Sequence, residues 1–512
     1  MIRGQVWLGT LPGALRRHWI FSAALGVGLI LRLVVMAAYR PAILVRQDSF
    51  DYLWDAVQLK PDPVRPDGYA FFLALLRPLH SLTFLAGLQH LMGLAIAVLV
   101  YAVLCNRGVP GWGAALAAAP VLFDPRQLDL EHSVMSDTLA TLLMLTALAV
   151  LLIRRPSWSL RPPSVGRSAV AGLLMGVAGL VRPITLPLFV LVAACLLLQR
   201  AGWRRSIAAL AAGALPLAGY ALWFGTFYGT VALTNSDGLF LWSRTMTFAN
   251  CAVIKPPADL QALCPGRQPA GRQIRAHKAD PLSMLLARPS PRLYLWSRED
   301  WLWQPPSEQF VPDIAAFTRA KNDRAMRFAI RAITAQPLGY ARAVSEDVAF
   351  TFLNTDRALR FPDPLAIPRG LDYSYQVAAV RGYAGSATAA GLQQQGIQAD
   401  KPYGYLLQGY QSRVYFPGVL FALVLVAGLA GILVPGRRSG AAVLLWACAA
   451  VTIVLPSAEH MDNYRYALPA IPLACMALAL VLNGRKVVGG PLRAPEPDTL
   501  GRNPAHQRVP VA

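Results

Sequence analysis

Lysine is almost missing from this chain. Six lysines stand against 42 arginines in 512 residues, and only 27 residues are acidic, so the formal net charge is +21. Abundant Ala, Leu, Gly and Pro accompany the arginines, as a GC-rich coding bias would produce, and no nucleic-acid motif goes with them. A membrane surface and anionic lipids are the partners such a charge favours, and nucleic acid is not expected. Cysteine is also scarce, with six residues. Four of them (Cys105, Cys195, Cys448 and Cys475) fall in apolar runs or at their ends, where a thiol is a small apolar group. The chain has no phosphate-cradling P-loop, no Gly-rich dinucleotide fingerprint, no zinc-type Cys/His cluster and no internal repeat. Nucleotide-driven chemistry, zinc-finger folding and solenoid architectures lose their usual signatures together.

What the chain has in quantity is apolar length. Hydrophobic residues make up 55% of it and its mean hydropathy is +0.42, too apolar for a soluble protein of this size. Apolar runs cover 18–39, 82–105, 109–123, 132–153, 168–199, 206–224, 415–435, 440–456 and 466–483. A membrane span needs ~20 mostly apolar residues to cross ~30 Å of hydrocarbon. The run 168–199, interrupted only by Arg182-Pro183, is ~48 Å long if it forms one helix at 1.5 Å per residue. Read as two helices, it gives ten spans and puts the clusters at Arg107, Arg154-Arg155, Arg204-Arg205, Arg437-Arg438 and Arg485-Lys486 on one side, as the positive-inside rule requires. The expectation is an all-α polytopic protein of the cell (plasma) membrane with about ten transmembrane helices. Both termini are cytoplasmic, and the first apolar run is not a cleaved signal because it is long and lacks a small-residue cleavage site.

The domain expectation follows. Residues 1–224 form an N-terminal transmembrane catalytic module, 225–413 a mainly helical extracytoplasmic region, 414–484 the C-terminal spans and 485–512 a disordered cytoplasmic tail. In the extracytoplasmic region, Tyr340, Val344, Val348 and Phe352 make one helical stripe and Met326, Ile330 and Ile333 another, so two helices should meet at Pro337. Cys251 and Cys264, thirteen apart in the same region, fit a disulfide in an oxidising compartment.

Chemistry-bearing residues gather on the expected outer face. In the segment 47–58, Phe50, Leu53, Trp54 and Val57 share one helical face, while Asp48, Asp51 and Asp55 share the other. That is an amphipathic helix lying on the membrane surface. Three like charges on one face call for a cation opposite, either a basic side chain or a divalent metal held by Asp48 and Asp51. Asp48 could equally cap the helix N-terminus. A second loop brings Glu131 and His132 to the membrane boundary and Asp137 further into the span, where an ionisable residue is costly and functional by default. Ser133 or Ser136 could instead satisfy Asp137. Arg182 falls at the outer surface, where snorkelling is the bland alternative. Arg465 breaks the positive-inside trend in the loop 457–465, as a residue holding an anion would.

These segments resemble the GT-C superfamily of integral membrane glycosyltransferases. The nearest kin are members that use a polyprenyl-phosphate sugar, such as the protein O-mannosyltransferases and the lipid A aminoarabinose transferases. The likeness rests on Asp48-Ser-Phe-Asp-Tyr-Leu, Arg65-Pro-Asp-Gly-Tyr-Ala-Phe-Phe-Leu, Glu131-His-Ser-Val-Met-Ser-Asp-Thr-Leu, Gly179-Leu-Val-Arg-Pro and Asn463-Tyr-Arg-Tyr-Ala-Leu-Pro. The chain departs from the pattern in separating its first-loop acids as Asp48 and Asp51, and in carrying Asp67 where the family usually has proline. The resemblance implies transfer of a sugar from a polyprenyl-phosphate donor to an acceptor hydroxyl at the extracytoplasmic face, with inversion. Asp48 would be general base, with Arg182, Arg465 and His132 facing the phosphate. A transporter or flippase for a lipid-linked sugar is the alternative. It would need neither three carboxylates on one surface helix nor a long outer region, and it favours inverted repeats, which are absent here. A non-catalytic scaffold would leave Asp137 and Arg182 without a role.

Overall fold

The computed structural model describes residues 18–153, 163–198, 202–265, 316–353, 374–434, 439–459 and 464–484, with single positions at 291, 295, 361, 362, 364 and 371. The tail at 485–512 and the loop residues 460–463 lie outside the described residues.

The chain begins with α1 (Trp19–Ala38), a short strand β1 (Tyr39–Arg40), and two helices of the first loop, α2 (Arg46–Gln58) and α3 (Gly68–Leu76). Then come α4 (Leu82–Asn106), α5 (Gly111–Phe123), the short α6 (Pro125–His132) and α7 (Asp137–Leu152). Next are α8 (Val165–Val181), α9 (Leu186–Leu198) and α10 (Trp203–Tyr228). The region after α10 contains α11 (Asp237–Thr245), α12 (Cys251–Ile254), α13 (Arg319–Ala335), α14 (Pro337–Leu353) and α15 (Ser374–Gln395). A strand β2 (Gln398–Ala399), α16 (Lys401–Arg413), α17 (Gly418–Leu433), α18 (Gly440–Glu459), α19 (Tyr464–Ala467) and α20 (Ala470–Asn483) complete it. The only described sheet is the antiparallel pair β1–β2.

Helices α1, α4, α10 and α18 are each long and apolar enough to cross a membrane, and α16 with α17, bent by 49°, would be a fifth if counted as one broken span. These are the candidate helices of a multi-pass membrane protein. The remaining apolar helices of the ten-span expectation (α5, α7, α8, α9 and α20) have 13 to 17 residues. At 1.5 Å per residue they fall short of ~30 Å.

Two predicted spans are broken where the sequence carries polar residues. The run 132–153 is not one helix. Residues 133–136 leave helical geometry because Val134 N donates to Ile43 O while Ile43 N donates to His132 O, a parallel bridge between the two loops. Asp137 therefore opens α7 rather than lying one and a half turns inside a span. The run 168–199 does divide at Arg182-Pro183. Proline has no N–H and forces its predecessor out of the α region, and Arg182 is extended (φ −153°, ψ 110°).

Helix α8 packs backbone to backbone on α10. A Cβ at Gly172 would strike the Ala209 carbonyl, and one at Gly176 the Gly213 carbonyl. Small residues four apart on both helices permit this approach.

Helices α13 and α14 meet at Pro337 as their periodicity predicts. The packed face of α13 differs from the expected one. Ile330 is 53% exposed, whereas Ala325, Phe328, Ala329 and Ala332 are buried with Asn322. The alanines let α11 lie close, and Asn322 Oδ1 accepts from Gly238 N at 2.7 Å. On α14 the stripe leans on the apolar bundle: Tyr340 donates to Ala458 O at 2.9 Å and the Phe352 ring packs at a tilt against Phe421. Cys251 and Cys264 are joined in a disulfide, beside Leu263 and the buried Trp242, whose indole N–H donates to Leu263 O.

Candidate functional site

A chain of alternating charges runs across one end of the bundle. It starts at Arg182, placed by the break between α8 and α9, whose Nη1 lies 2.6 Å from Asp137 Oδ2. Arg465 of α19 places its Nε 3.1 Å from both oxygens of Asp137 and its Nη1 3.0 Å from Asp48 Oδ2. The other Asp48 oxygen accepts from Arg65 Nη1 at 3.1 Å. Arg65 Nη2 reaches Asp51 at 3.2 Å, and its Nε lies 3.6 Å from Asp62. Aromatic rings back the cations: Tyr466 under Arg182 at 4.8 Å and Tyr52 under Arg65 at 5.1 Å. Tyr52 OH is also hydrogen-bonded to Ser136 at 3.0 Å.

The helix carrying Asp48 has both faces covered. Phe50 and Leu53 are buried in the apolar core, and Asp51 and Asp55 are buried on the opposite side. Helix α2 starts at Arg46 after Val45, so Asp48 sits in its first turn and makes no capping hydrogen bond. The cation that three like charges demanded is Arg65, from the turn before α3, joined by Arg465 from the far end of the chain. Asp137 is satisfied by two arginines, not by Ser133 or Ser136.

The carboxyls divide electrostatically. Burial raises the pKa of Asp48, but the guanidiniums of Arg65 and Arg465 outweigh it and hold Asp48 well below the usual carboxylate range. Its side chain is still 34% exposed. Behind it, burial pushes Asp51 up to about 7, against Arg65 and helped by Asp62 and Asp48. Burial, then Asp62, also pushes Asp67 up to about 7. Asp55 and Asp62 are raised by burial in the same pocket of acids. Asp67 accepts from Tyr220 OH of α10 at 2.8 Å and from Asp62 N at 3.1 Å.

Asp48 and Asp51 do not fit a divalent cation in this arrangement. One guanidinium already bridges them, and the remaining Asp48 oxygen is on Arg465. Among the described residues no group of three His, Cys, Asp or Glu side chains is arranged to hold a metal.

Glu131 and His132 are not part of this cluster. Both are fully buried. Glu131 pairs with Arg32 of α1 at 2.8 Å and His90 of α4 at 3.0 Å, while His132 contacts His90 at 3.1 Å and Tyr39 O at 2.8 Å. The structure thus joins Asp51, Asp48, Asp137 and Arg182 in one line through Arg65 and Arg465 and sets the other two apart. Sequence reasoning missed Arg65 as the partner of the first-loop acids, and it missed Arg32 and His90. A lone arginine within the apolar run 18–39 was the available signal for Arg32.

No family model matches the chain, and no curated protein matches it significantly. Among solved structures it resembles the oligosaccharyltransferase AglB of Archaeoglobus fulgidus, solved with an inhibitory peptide and a dolichol-phosphate (TM-score 0.39, 14% identity, 91% of this chain and 50% of that one). It also resembles the oligosaccharyltransferase of the same organism in its apo form (TM-score 0.36, 13% identity, 90% and 50%). The chain spans about half the length of the proteins it matches. A likeness this slight carries no functional weight.

Proposed function

We propose that this cluster is the centre of a membrane glycosyltransferase of GT-C type. It moves a sugar from a polyprenyl-phosphate donor to an acceptor hydroxyl on the extracytoplasmic face, with both chain termini cytoplasmic. The observation that carries the reading is the partly exposed Asp48 carboxylate held between Arg65 and Arg465, with Arg182 continuing the line. A base flanked by guanidiniums is what in-line displacement at a phosphate-bearing anomeric carbon needs.

In this reading the donor phosphate takes Arg465, Arg182 and Arg65 as its partners. Arginine forks match phosphate oxygens. Each guanidinium that turns to phosphate releases its hold on Asp48, whose basicity then rises. Asp48 accepts the proton of the acceptor hydroxyl as that oxygen attacks the anomeric carbon. The bond from that carbon to the phosphate oxygen breaks, and the lipid phosphate leaves with the electron pair. One displacement inverts the configuration. No step requires a metal, because the arginines stand where the developing phosphate charge would be met.

Turnover of a panel of polyprenyl-phosphate sugars by the purified full chain tests the reading. Sugar transfer that disappears in Asp48→Asn is the expected result. Translocation of a donor across vesicles with no sugar transfer would assign the cluster to transport instead.

A further inference from the structure

A second buried polar chain links α1, α4, α6 and β1 away from the arginine cluster. It runs from Arg32 Nη2 to Glu131 Oε1 (2.8 Å), from Glu131 Oε2 to His90 Nδ1 (3.0 Å), from His90 Nε2 to His132 Nδ1 (3.1 Å), and from His132 Nε2 to Tyr39 O (2.8 Å). Gln127 Nε2 also donates to Glu131 Oε1 at 3.0 Å. Arg32, Glu131, His90 and His132 are each under 5% exposed. The backbone bonds between Ile43 and residues 132 and 134 hold His132 in place.

Counting hydrogens on this chain leaves one too few. Three contacts lie beyond Arg32: Glu131 to His90, His90 to His132, and His132 to the Tyr39 carbonyl. Each needs one hydrogen. The carbonyl only accepts, so His132 Nε2 must donate to it. Two neutral imidazoles bring two hydrogens and an ionised carboxylate brings none. With only two hydrogens, one contact at about 3 Å would set two lone pairs against each other in a buried site, which costs more than an ordinary lost hydrogen bond.

We infer that Glu131, His90 and His132 together bind one additional proton, so that the chain from Arg32 to Tyr39 is a buried proton site. The proton sits on the Glu131 carboxyl, or makes His90 or His132 an imidazolium, and shifting it along the chain only reverses the direction of donation in the contacts it crosses. The charged groups facing it are Arg32 from α1, His90 from α4, and Glu131 and His132 from the α6 segment. The chain ends on β1, which pairs with Gln398–Ala399 of β2. Asp400 N, next along, donates to Ala38 O at 2.8 Å. The His132–Tyr39 contact therefore ties this chain to the segment leading into α16.

The test uses the full chain in detergent or nanodiscs. Infrared difference spectra and ¹⁵N-histidine NMR at neutral pH should show either a protonated carboxyl that vanishes in Glu131→Gln, or an imidazolium with both nitrogens protonated. A Glu131 carboxylate with two neutral imidazoles overturns the inference. Independently, Glu131→Gln supplies the third hydrogen covalently, since its amide donates to His90 while its oxygen accepts from Arg32. Above about pH 7 the unfolded chain has released these protons while the folded state still holds one, so wild-type Tm should fall as pH rises between about 7 and about 9. Glu131→Gln should show a flatter profile. An unchanged slope in a folded Glu131→Gln protein would overturn the inference as well.

Discussion

Arg465 and Asp48, 417 residues apart in the chain, meet at 3.0 Å. The contact ties the first loop to the last. It also keeps the carboxylate proposed as base ionised and weakly basic until something else engages the arginine.

Asp48→Asn is expected to keep the fold and donor binding while lowering transfer by ~10²–10⁴-fold, the range for a lost general base. Asp51→Asn should lose less, because Asp51 touches Arg65 but not Arg465. Steady-state transfer assays with matched expression check both. Full activity in Asp48→Asn would move the base elsewhere.

Arg182→Ala and Arg465→Ala should each weaken donor binding by about 1.5–3 kcal/mol, the cost of losing a charged hydrogen bond. Lysine should restore only part, having no bidentate fork. Arg465→Ala should also leave Asp137 leaning on Arg182 alone. A double-mutant cycle with Asp137→Asn should then show coupling of about 0.5–3 kcal/mol. Donor affinity unchanged in both alanine variants would reduce these arginines to structural partners.

Chelators should leave transfer unaffected, since Arg65 bridges the two carboxylates that would otherwise hold a cation. Activity lost to a chelator and restored by a divalent ion would contradict this, and would require Arg65 to swing away.

The raised acids give stability a pH dependence of known sign. Asp51 and Asp67, pushed up to about 7, stay protonated in the folded chain while the unfolded chain ionises them near ~3.9. Their contribution is complete below ~3.9 and is lost as pH rises through about 7. Asp48 has the opposite sign: its depressed pKa stabilises the fold above ~3.9 and is lost only in strong acid. Asp67→Asn keeps an oxygen for Tyr220 and Asp62 N, so it should raise Tm at pH ~8 relative to wild type more than at pH ~5. Thermal unfolding across that range decides it.

Cys251 and Cys264 should both resist thiol labelling in non-reduced, denatured protein. Their bond closes a loop of thirteen residues' separation, worth ~3 kcal/mol in the chain-entropy model. Labelling of both would remove it.

The elements of the site were legible where a local rule applied. Three aspartates at helical spacing demanded a cation, and an Arg-Pro pair inside an apolar run announced a break. The partner of those aspartates was not legible, because Arg65 and Arg465 reach them through space and no spacing records it. Arg32 is the converse case, since its own apolar run marked it as anomalous while its partner, Glu131, stood in another loop. On α13 the larger residues Met326, Ile330 and Ile333 drew the stripe, but alanines carry the interface because α11 needs room to approach. The Ser133–Ser136 break was hidden because a bridge to Ile43, not a local signal, makes it.

The glycine seam between α8 and α10 makes two distant parts of the site one rigid piece. Helix α8 ends at Val181, directly before Arg182, and α10 carries Tyr220, which holds Asp67. A single methyl added at Gly172 or Gly176, each buried against the α10 backbone, would pry both helices apart. Arg182 and Asp67 would then shift relative to each other. The spacing between Arg182 and Asp67 is therefore set by residues that carry no charge and no side chain at all.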